Sequence, residues 1–227
     1  GIDNEDLRAH VIAGNIHRLT PGLKKEMLAG NVHGALNIVR TAFAAKPSVL
    51  EVCSKVVFPA LSEIGEEWHA KTLSVDQEHI ATNAVKEALT LFQSEIYHKE
   101  LNGLSAVCAC NEGDLHDVAI RGIGYYLETE GWHVTFLGQS SPSKSVVNAI
   151  RTHKPDLIAL SATIVDNERK FISTMNNDIQ PMARRTRAKL AIGGHNVKAR
   201  FGTRIKADHF CDSVAEFESI ARPGNYT

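Results

Sequence analysis

Apolar residues recur at three- and four-residue spacing through the first hundred positions, then gather into short continuous runs separated by helical stretches. Leu23, Met27, Leu28, Val32, Leu36 and Val39 make one helical stripe. A second run, Val49 to Trp68, carries Val52, Val56, Leu61 and Ile64 on its apolar face. A third, Val75 to Tyr97, points Ile80, Ala84, Ala88 and Leu91 inward. With the opening segment Asn4 to Leu19, this predicts about four helices joined by short loops, a bundle. Pro47-Ser48 marks one of the loops, where proline suits the start of a helix.

The pattern changes near Lys99 to Gly103. Beyond it the apolar runs are Leu104 to Cys110, His133 to Leu137, Leu157 to Ser161 and Leu190 to Ile192, with a shorter one at His209 to Cys211. Helical stretches alternate with them: Val118 to Glu130, Ser143 to His153, Asn167 to Arg185, Val197 to Ile205 and Val214 to Ala221. Such alternation implies a parallel sheet covered on both faces, with right-handed crossovers. The expected fold class is α/β, a four-helix bundle over residues 1–100 followed by a Rossmann-like, flavodoxin-like parallel-sheet domain over residues 101–227.

Composition narrows the function. A length of 227 residues with 43% hydrophobic content supports one or two packed domains. A formal net charge of -1 gives no basic footprint, so no direct nucleic-acid binding by this chain is expected. Cys53, Cys108, Cys110 and Cys211 have neither zinc spacing nor the look of a disulfide framework, and Cys108 and Cys110 read as small buried hydrophobes. No secretory signal and no apolar span of membrane length is present, which predicts a cytoplasmic protein without membrane contact. The chain opens at Gly1-Ile2-Asp3 without an initiator Met, as a trimmed or excised piece would.

The candidate chemistry starts at Glu112-Gly113-Asp114-Leu115-His116-Asp117, on the loop leaving the first strand. Open α/β sheets bind ligands at the carboxyl ends of their strands. Asp114 stands two residues before His116, a spacing suited to fixing the imidazole tautomer through its other ring nitrogen. A dinucleotide site fails here: Asn111 to His116 carries one glycine and two acids where three glycines are needed, and the acids would repel a pyrophosphate. Gly122 and Gly124 lie inside the following helix and suit close packing. Other strand ends carry Gly138, Ser161 with Thr163, and Gly193-Gly194. Each alone reads equally well as a turn or a cap; together on one sheet edge they describe a slot for a long polar group.

Asp114-x-His116, Ser161-x-Thr163 and Gly193-Gly194 together resemble the base-off, His-on cobalamin-binding domain, over Leu104 to about Ile220. The resemblance implies that His116 is the lower axial ligand of cobalt and that Asp114 orients it. It also implies that the displaced nucleotide tail runs into the slot formed by Gly138, Ser161, Thr163, Gly193 and Gly194. Two positions depart from the family pattern: Ala119 stands where glycine is usual and Thr163 where leucine is usual. The alanine adds one methyl to the tail's passage.

The bundle has its own constellation. Glu67-Trp68-His69 ends the second helix and Gln77-Glu78-His79 starts the next, across one short turn. A lone tryptophan is commonly core, but this much polarity fits a buried core poorly. Zinc held by His69, Glu78 and His79 is a lesser reading, because the helical His-Glu-x-x-His spacing is absent. The segment Ile64-Gly65-x-x-Trp68-His69 followed by Val75-x-x-Glu78-His79 is similar to the helical cap of cobalamin-dependent photoreceptors of the CarH type. That resemblance implies an adenosylcobalamin cofactor whose upper face is capped by the bundle, with Trp68 against the adenosyl group and Glu78 and His79 lining the same pocket. His69 aligns with the histidine that ligates cobalt after photolysis. It further implies a homo-oligomer in the dark, a signalling or transcriptional output, and no substrate turnover. The DNA-binding domain of that family is not visible here, in keeping with the charge balance.

Two other readings share the modules. A corrinoid methyl-carrier subunit of a methyltransferase system pairs the same bundle and sheet. A mutase small subunit need not carry the helical cap and fits less well. His195, beside Gly194, reads as a solvated loop residue, and His10, His17, His33, His98, His133, His153 and His209 as surface residues. Arg184-Arg185-Thr186-Arg187 reads as a solvated helix end.

Overall fold

The computed structural model describes residues 14–226 together with Glu5. The chain divides into two compact units, with the division between Tyr97 and His98.

The first unit is helical. After a 3₁₀ turn (Ile16–Leu19), α1 spans Thr20–Leu28 and α2 spans Val32–Phe43. The stripe from Leu23 to Val39 is therefore not one helix. Gly30, at φ +64°, takes a left-handed conformation that breaks it, and the Asn31 side chain caps α2 by accepting from the Gly34 amide. The predicted Val49 to Trp68 helix is α3 (Val49–Val52), a π-helical stretch (Cys53–Val57) and α4 (Phe58–His69) in unbroken succession. A π-helical stretch shifts the backbone ladder by one residue and leaves carbonyls without a standard partner. The Thr20 hydroxyl donates toward two carbonyls of this stretch, Lys55 O at 3.2 Å and Val56 O at 3.5 Å.

α5 runs Val75–Glu95, opened by a capping box between Ser74 and Gln77. Its buried stripe is Ala81, Ala84, Val85, Ala88, Leu89 and Phe92, and the Phe92 ring packs 4.6 Å from Phe43 of α2. Ala84 and Ala88 point inward as expected. Ile80 and Leu91 do not: both are exposed, at 46% and 41%. The predicted helix Asn4 to Leu19 lies outside the described residues but for its last turn, and His10 lies outside them too.

The second unit is a five-stranded parallel sheet, β1 Ser105–Cys110, β2 His133–Gly138, β3 Leu157–Ser161, β4 Lys189–Gly193 and β5 His209–Cys211, in spatial order β2-β1-β3-β4-β5. This is the flavodoxin-like order, whose ligand crevice lies where β1 and β3 diverge into their loops. The crossover helices are α6 (Val118–Thr129) and α7 (Ser143–His153). They are followed by α8 (Glu168–Thr174), a second π-helical stretch (Met175–Ile179) and α9 (Gln180–Thr186), then α10 (Val197–Phe201) and α11 (Phe217–Ile220).

The two sheet faces differ in bulk. Ile158, Leu160, Leu190 and Ile192 point into an aliphatic core with Phe171, Met175 and Phe201. On the other face, the register aligns Cys110, Ser161, Gly193 and Cys211 in one row and Cys108, Ala159, Ala191 and His209 in the row behind. Side chains in register on parallel strands share a face, so this face is lined by small residues toward its carboxyl edge. His209 is half-buried in that arrangement rather than a surface residue, and burial lowers its pKa from the ordinary histidine value.

All four cysteines are buried. Burial pushes Cys53 and Cys108 up to about 12 and Cys211 up to about 11. Iodoacetamide at pH 8 is therefore expected to leave these three thiols unlabelled in the folded protein and to label all of them in denaturant, read by mass spectrometry.

Candidate functional site

β1 ends at Cys110, and the next seven residues carry the Asp-x-His triplet before α6 begins at Val118. Asp114 is completely buried, yet His116 exposes 65% of its side chain. The buried carboxylate accepts four hydrogen bonds. Its Oδ1 takes the His116 amide at 2.9 Å and pairs with His116 Nδ1 at 3.1 Å. Its Oδ2 takes the Thr163 amide at 2.8 Å and the Ile164 amide at 3.1 Å. One side chain thus fixes the imidazole and ties the β1 loop to the β3 loop. With Nδ1–H donated to Asp114, Nε2 carries the ring's lone pair, the arrangement found behind metal-ligating histidines.

The other strand-end residues lie on this same edge. The Ser161 and Thr163 hydroxyls are 3.4 Å apart at the end of β3. Thr163 holds Asp114 through its backbone amide, so the hydrogen bond to the loop asks nothing of its side chain. Gly138 ends β2 at φ +83°, next to the register shift in the β1–β2 pairing, a conformation open to glycine. Gly194 has φ +149°, and a Cβ there would stand 2.6 Å from the Ala162 carbonyl oxygen. Gly193 is extended and roomier: a Cβ would stand 3.7 Å from Cys211 O. Ala119 is partly exposed in the first turn of α6. His195 is exposed, with Nε2 2.9 Å from Asn196 Nδ2.

Two features went unread in the sequence. Asp117, 2% exposed, is a second buried carboxylate in the loop; its Oδ2 accepts from Arg121 Nε at 2.9 Å and its Oδ1 from Gln139 Nε2 at 3.2 Å. The four-residue spacing of Asp117 and Arg121 was a legible sign of this pairing. A cavity of about 240 Å³ also opens beside the loop on the aliphatic side, lined by Asn111, Glu112, Ser143, Leu160, Asp166 and Lys170. No sequence pattern marks it.

In the helical unit, Trp68 is 40% exposed at the end of α4, its ring centre 4.6 Å from that of His69 and tilted by 53° to it. The end of α4 is held by Lys24 of α1, which reaches Glu63 at 3.0 Å and Glu67 at 2.7 Å. Those hydrogen bonds, Glu67's first, raise the Lys24 pKa. Across the turn, Glu78 accepts from Thr82 at 2.8 Å and lies 3.5 Å from His79 Nε2. Trp68 is not core. No group of three or more His, Cys, Asp or Glu side chains among the described residues is placed to hold a metal ion, so zinc held by His69, Glu78 and His79 is set aside. A single exposed imidazole backed by a buried carboxylate suits a metal that brings most of its own ligands.

Comparison with known proteins identifies the family and the cofactor. Residues 104–219, just over half the chain, match the B12 binding domain family, and residues 19–92 match a second family of the same description. The HTH-type transcriptional repressor CarH of Myxococcus xanthus is 28% identical over 149 residues, 65% of this chain and 48% of the repressor. The chain thus spans about half the length of that relative. Monomethylamine corrinoid protein 1 of Methanosarcina acetivorans is 23% identical over 200 residues, covering 84% of this chain and 90% of the relative. Among solved structures, the monomethylamine corrinoid protein of Methanosarcina barkeri superposes with a TM-score of 0.73 at 22% identity, over 90% of this chain and 97% of that one. That likeness shows the same fold, a helical unit before a Rossmann-like parallel sheet. No helix among the described residues is long and apolar enough to cross a membrane. A strand-end histidine backed by a buried carboxylate, a sheet of this order and the family match over residues 104–219 converge: the chain belongs to the B12 binding domain family, and its cofactor is cobalamin.

Proposed function

We propose that the chain is a light sensor that binds adenosylcobalamin through His116 and signals by a change of oligomeric state, without turning over a substrate. Bound adenosylcobalamin supplies a light-labile cobalt–carbon bond. In this reading Asp114 keeps the His116 imidazole in the tautomer that presents Nε2 to cobalt. Gly138, Ser161, Thr163, Gly193 and Gly194 line the passage for the nucleotide tail. Trp68, Glu78 and His79 would hold the adenosyl group, and His69 would supply the imidazole that binds cobalt in its absence.

The observation that carries the reading is the exposed Trp68–His69 pair. A large aromatic held at 40% exposure beside an imidazole is set up to meet a ligand rather than to fill a core. The 28% identity to CarH supports the same direction.

A second reading, a corrinoid methyl carrier serving a methyltransferase, has its own support: the methylamine corrinoid proteins align over nearly their whole length. One experiment separates the two. Holoprotein loaded with adenosylcobalamin in the dark is examined by absorption spectroscopy and size-exclusion chromatography before and after green light, with His69→Ala alongside. The sensor changes both spectrum and elution volume, and His69→Ala gives a different light-state spectrum. An unchanged elution volume, with transfer of methyl from methylcobalamin to a thiol, makes it a carrier.

A further inference from the structure

His116 is held on one side by Asp114 and, through its carbonyl, by the Cys110 thiol at 3.9 Å. The structure has a further anchor on the opposite side. Gln139, just past β2, donates from Nε2 to the Leu115 carbonyl at 2.7 Å and to Asp117 Oδ1 at 3.2 Å. One amide group thereby grips the residues immediately before and after His116. Asp117 Oδ2 accepts from Arg121 Nε, and the Arg121 guanidinium lies 5.2 Å from the centre of the Phe136 ring on β2. Asp114 ties the loop toward β3; Gln139, Asp117 and Arg121 tie it toward β2.

Two simpler roles for Asp117 do not account for this. It occupies the N-cap of α6, yet its side chain makes no capping hydrogen bond to the helix. Nor is it half of a surface ion pair, since it is 2% exposed. A carboxylate that deeply buried costs free energy unless its partners are fixed, and one of its partners, Gln139, also holds the Leu115 carbonyl beside His116.

We propose that Gln139, Asp117 and Arg121 form a positioning brace that sets the height and tilt of the His116 imidazole for cobalt. The proposal rests on His116 being the lower axial ligand, and its test separates the two claims. Protein labelled with ¹⁵N-histidine is loaded with cob(II)alamin and examined by electron paramagnetic resonance. A ¹⁵N axial ligand splits each cobalt line into a doublet, whereas the cofactor's own ¹⁴N base gives a triplet.

Wild-type protein shows the doublet; if it does not, the ligand assignment fails whatever the brace does. Gln139→Leu replaces an exposed side chain by one of similar length that cannot donate. It is expected to lose a substantial part of the doublet and to bind cobalamin about 10-fold more weakly, the low end of what an outer-shell partner contributes to metal affinity. Its melting temperature is expected to stay put. Arg121→Leu follows Gln139→Leu, and Arg121→Lys, which keeps a donor for Asp117, retains most of the doublet. An undiminished doublet in Gln139→Leu overturns the brace. So does a loss that appears only together with a general fall in melting temperature.

Discussion

A His116→Gly variant is expected to lose cobalamin by more than 100-fold in affinity while keeping its fold. Removing an outer-shell partner typically costs roughly 10- to 100-fold in metal affinity; removing the ligand itself exceeds that. The fold survives because His116 exposes 65% of its side chain and contributes little to any core. The hydrogen bonds that hold the loop on Asp114 from Thr163 and Ile164 are made by backbone amides and remain. Equilibrium titration with hydroxocobalamin, followed by absorbance, measures the loss, and circular dichroism checks the fold. Free imidazole at millimolar concentration fits the space the substitution leaves and is expected to restore part of the binding. A variant that binds as tightly as wild type, with the same spectrum, removes His116 from the site.

Asp114→Ala is expected to be worse for the protein, though less selective for the cofactor. It takes away a fully buried acceptor of four hydrogen bonds. Hydrogen bonds to a charged group contribute about 1.5–3 kcal/mol each, and they are not additive. Water can replace part of what Thr163 and Ile164 lose, since neither is fully buried. A net destabilisation of about 3 kcal/mol is therefore expected, read as a lower midpoint in urea with an unchanged slope. Cobalamin affinity falls by about 10- to 100-fold, because the imidazole loses its fixed tautomer along with its orientation. Asp114→Asn separates the two effects. It keeps one acceptor oxygen for the Thr163 and Ile164 amides and recovers part of the stability, but its Nδ2 then faces His116, where it cannot accept from Nδ1–H, so affinity stays low. Equal recovery of both would mean that the charge of Asp114 has no part in tuning His116.

Much of this arrangement was legible in the sequence because its signals are local. Each strand is a short apolar run followed within a few residues by a helical pattern, and the Asp114-x-His116 spacing alone places a carboxylate within reach of an imidazole. What escaped reading depends on long-range or backbone features. The break at Gly30 was hidden because the apolar stripe continues on both sides of it at almost the right interval. The π-helical stretch at Cys53–Val57 is a change in hydrogen-bond register, and Val52, Cys53, Val56 and Val57 are all buried whichever register is used. Ile80 and Leu91 looked like core by hydrophobicity, but α5 packs through its alanines, which allow close helix approach, and the stripe is rotated by one position. Gln139 escaped because it lies 22 residues from Asp117, and only the β2–β1 pairing brings the two together.

The small residues at the carboxyl edge of one sheet face, Cys110, Ser161, Gly193 and Cys211, carry a consequence for the life of the protein in a cell. Cys110, Ser161 and Cys211 are already buried in the chain itself, so a ligand that lodges beside them adds contacts to a packed native edge rather than creating one. A ligand bound only by the native form, at 100 times its Kd, raises stability by about 2.7 kcal/mol, and increments of that size alter steady-state abundance several-fold through proteolysis. In a host starved of the vitamin, the polypeptide should turn over faster at constant messenger level, and feeding should lengthen its half-life before any new synthesis begins.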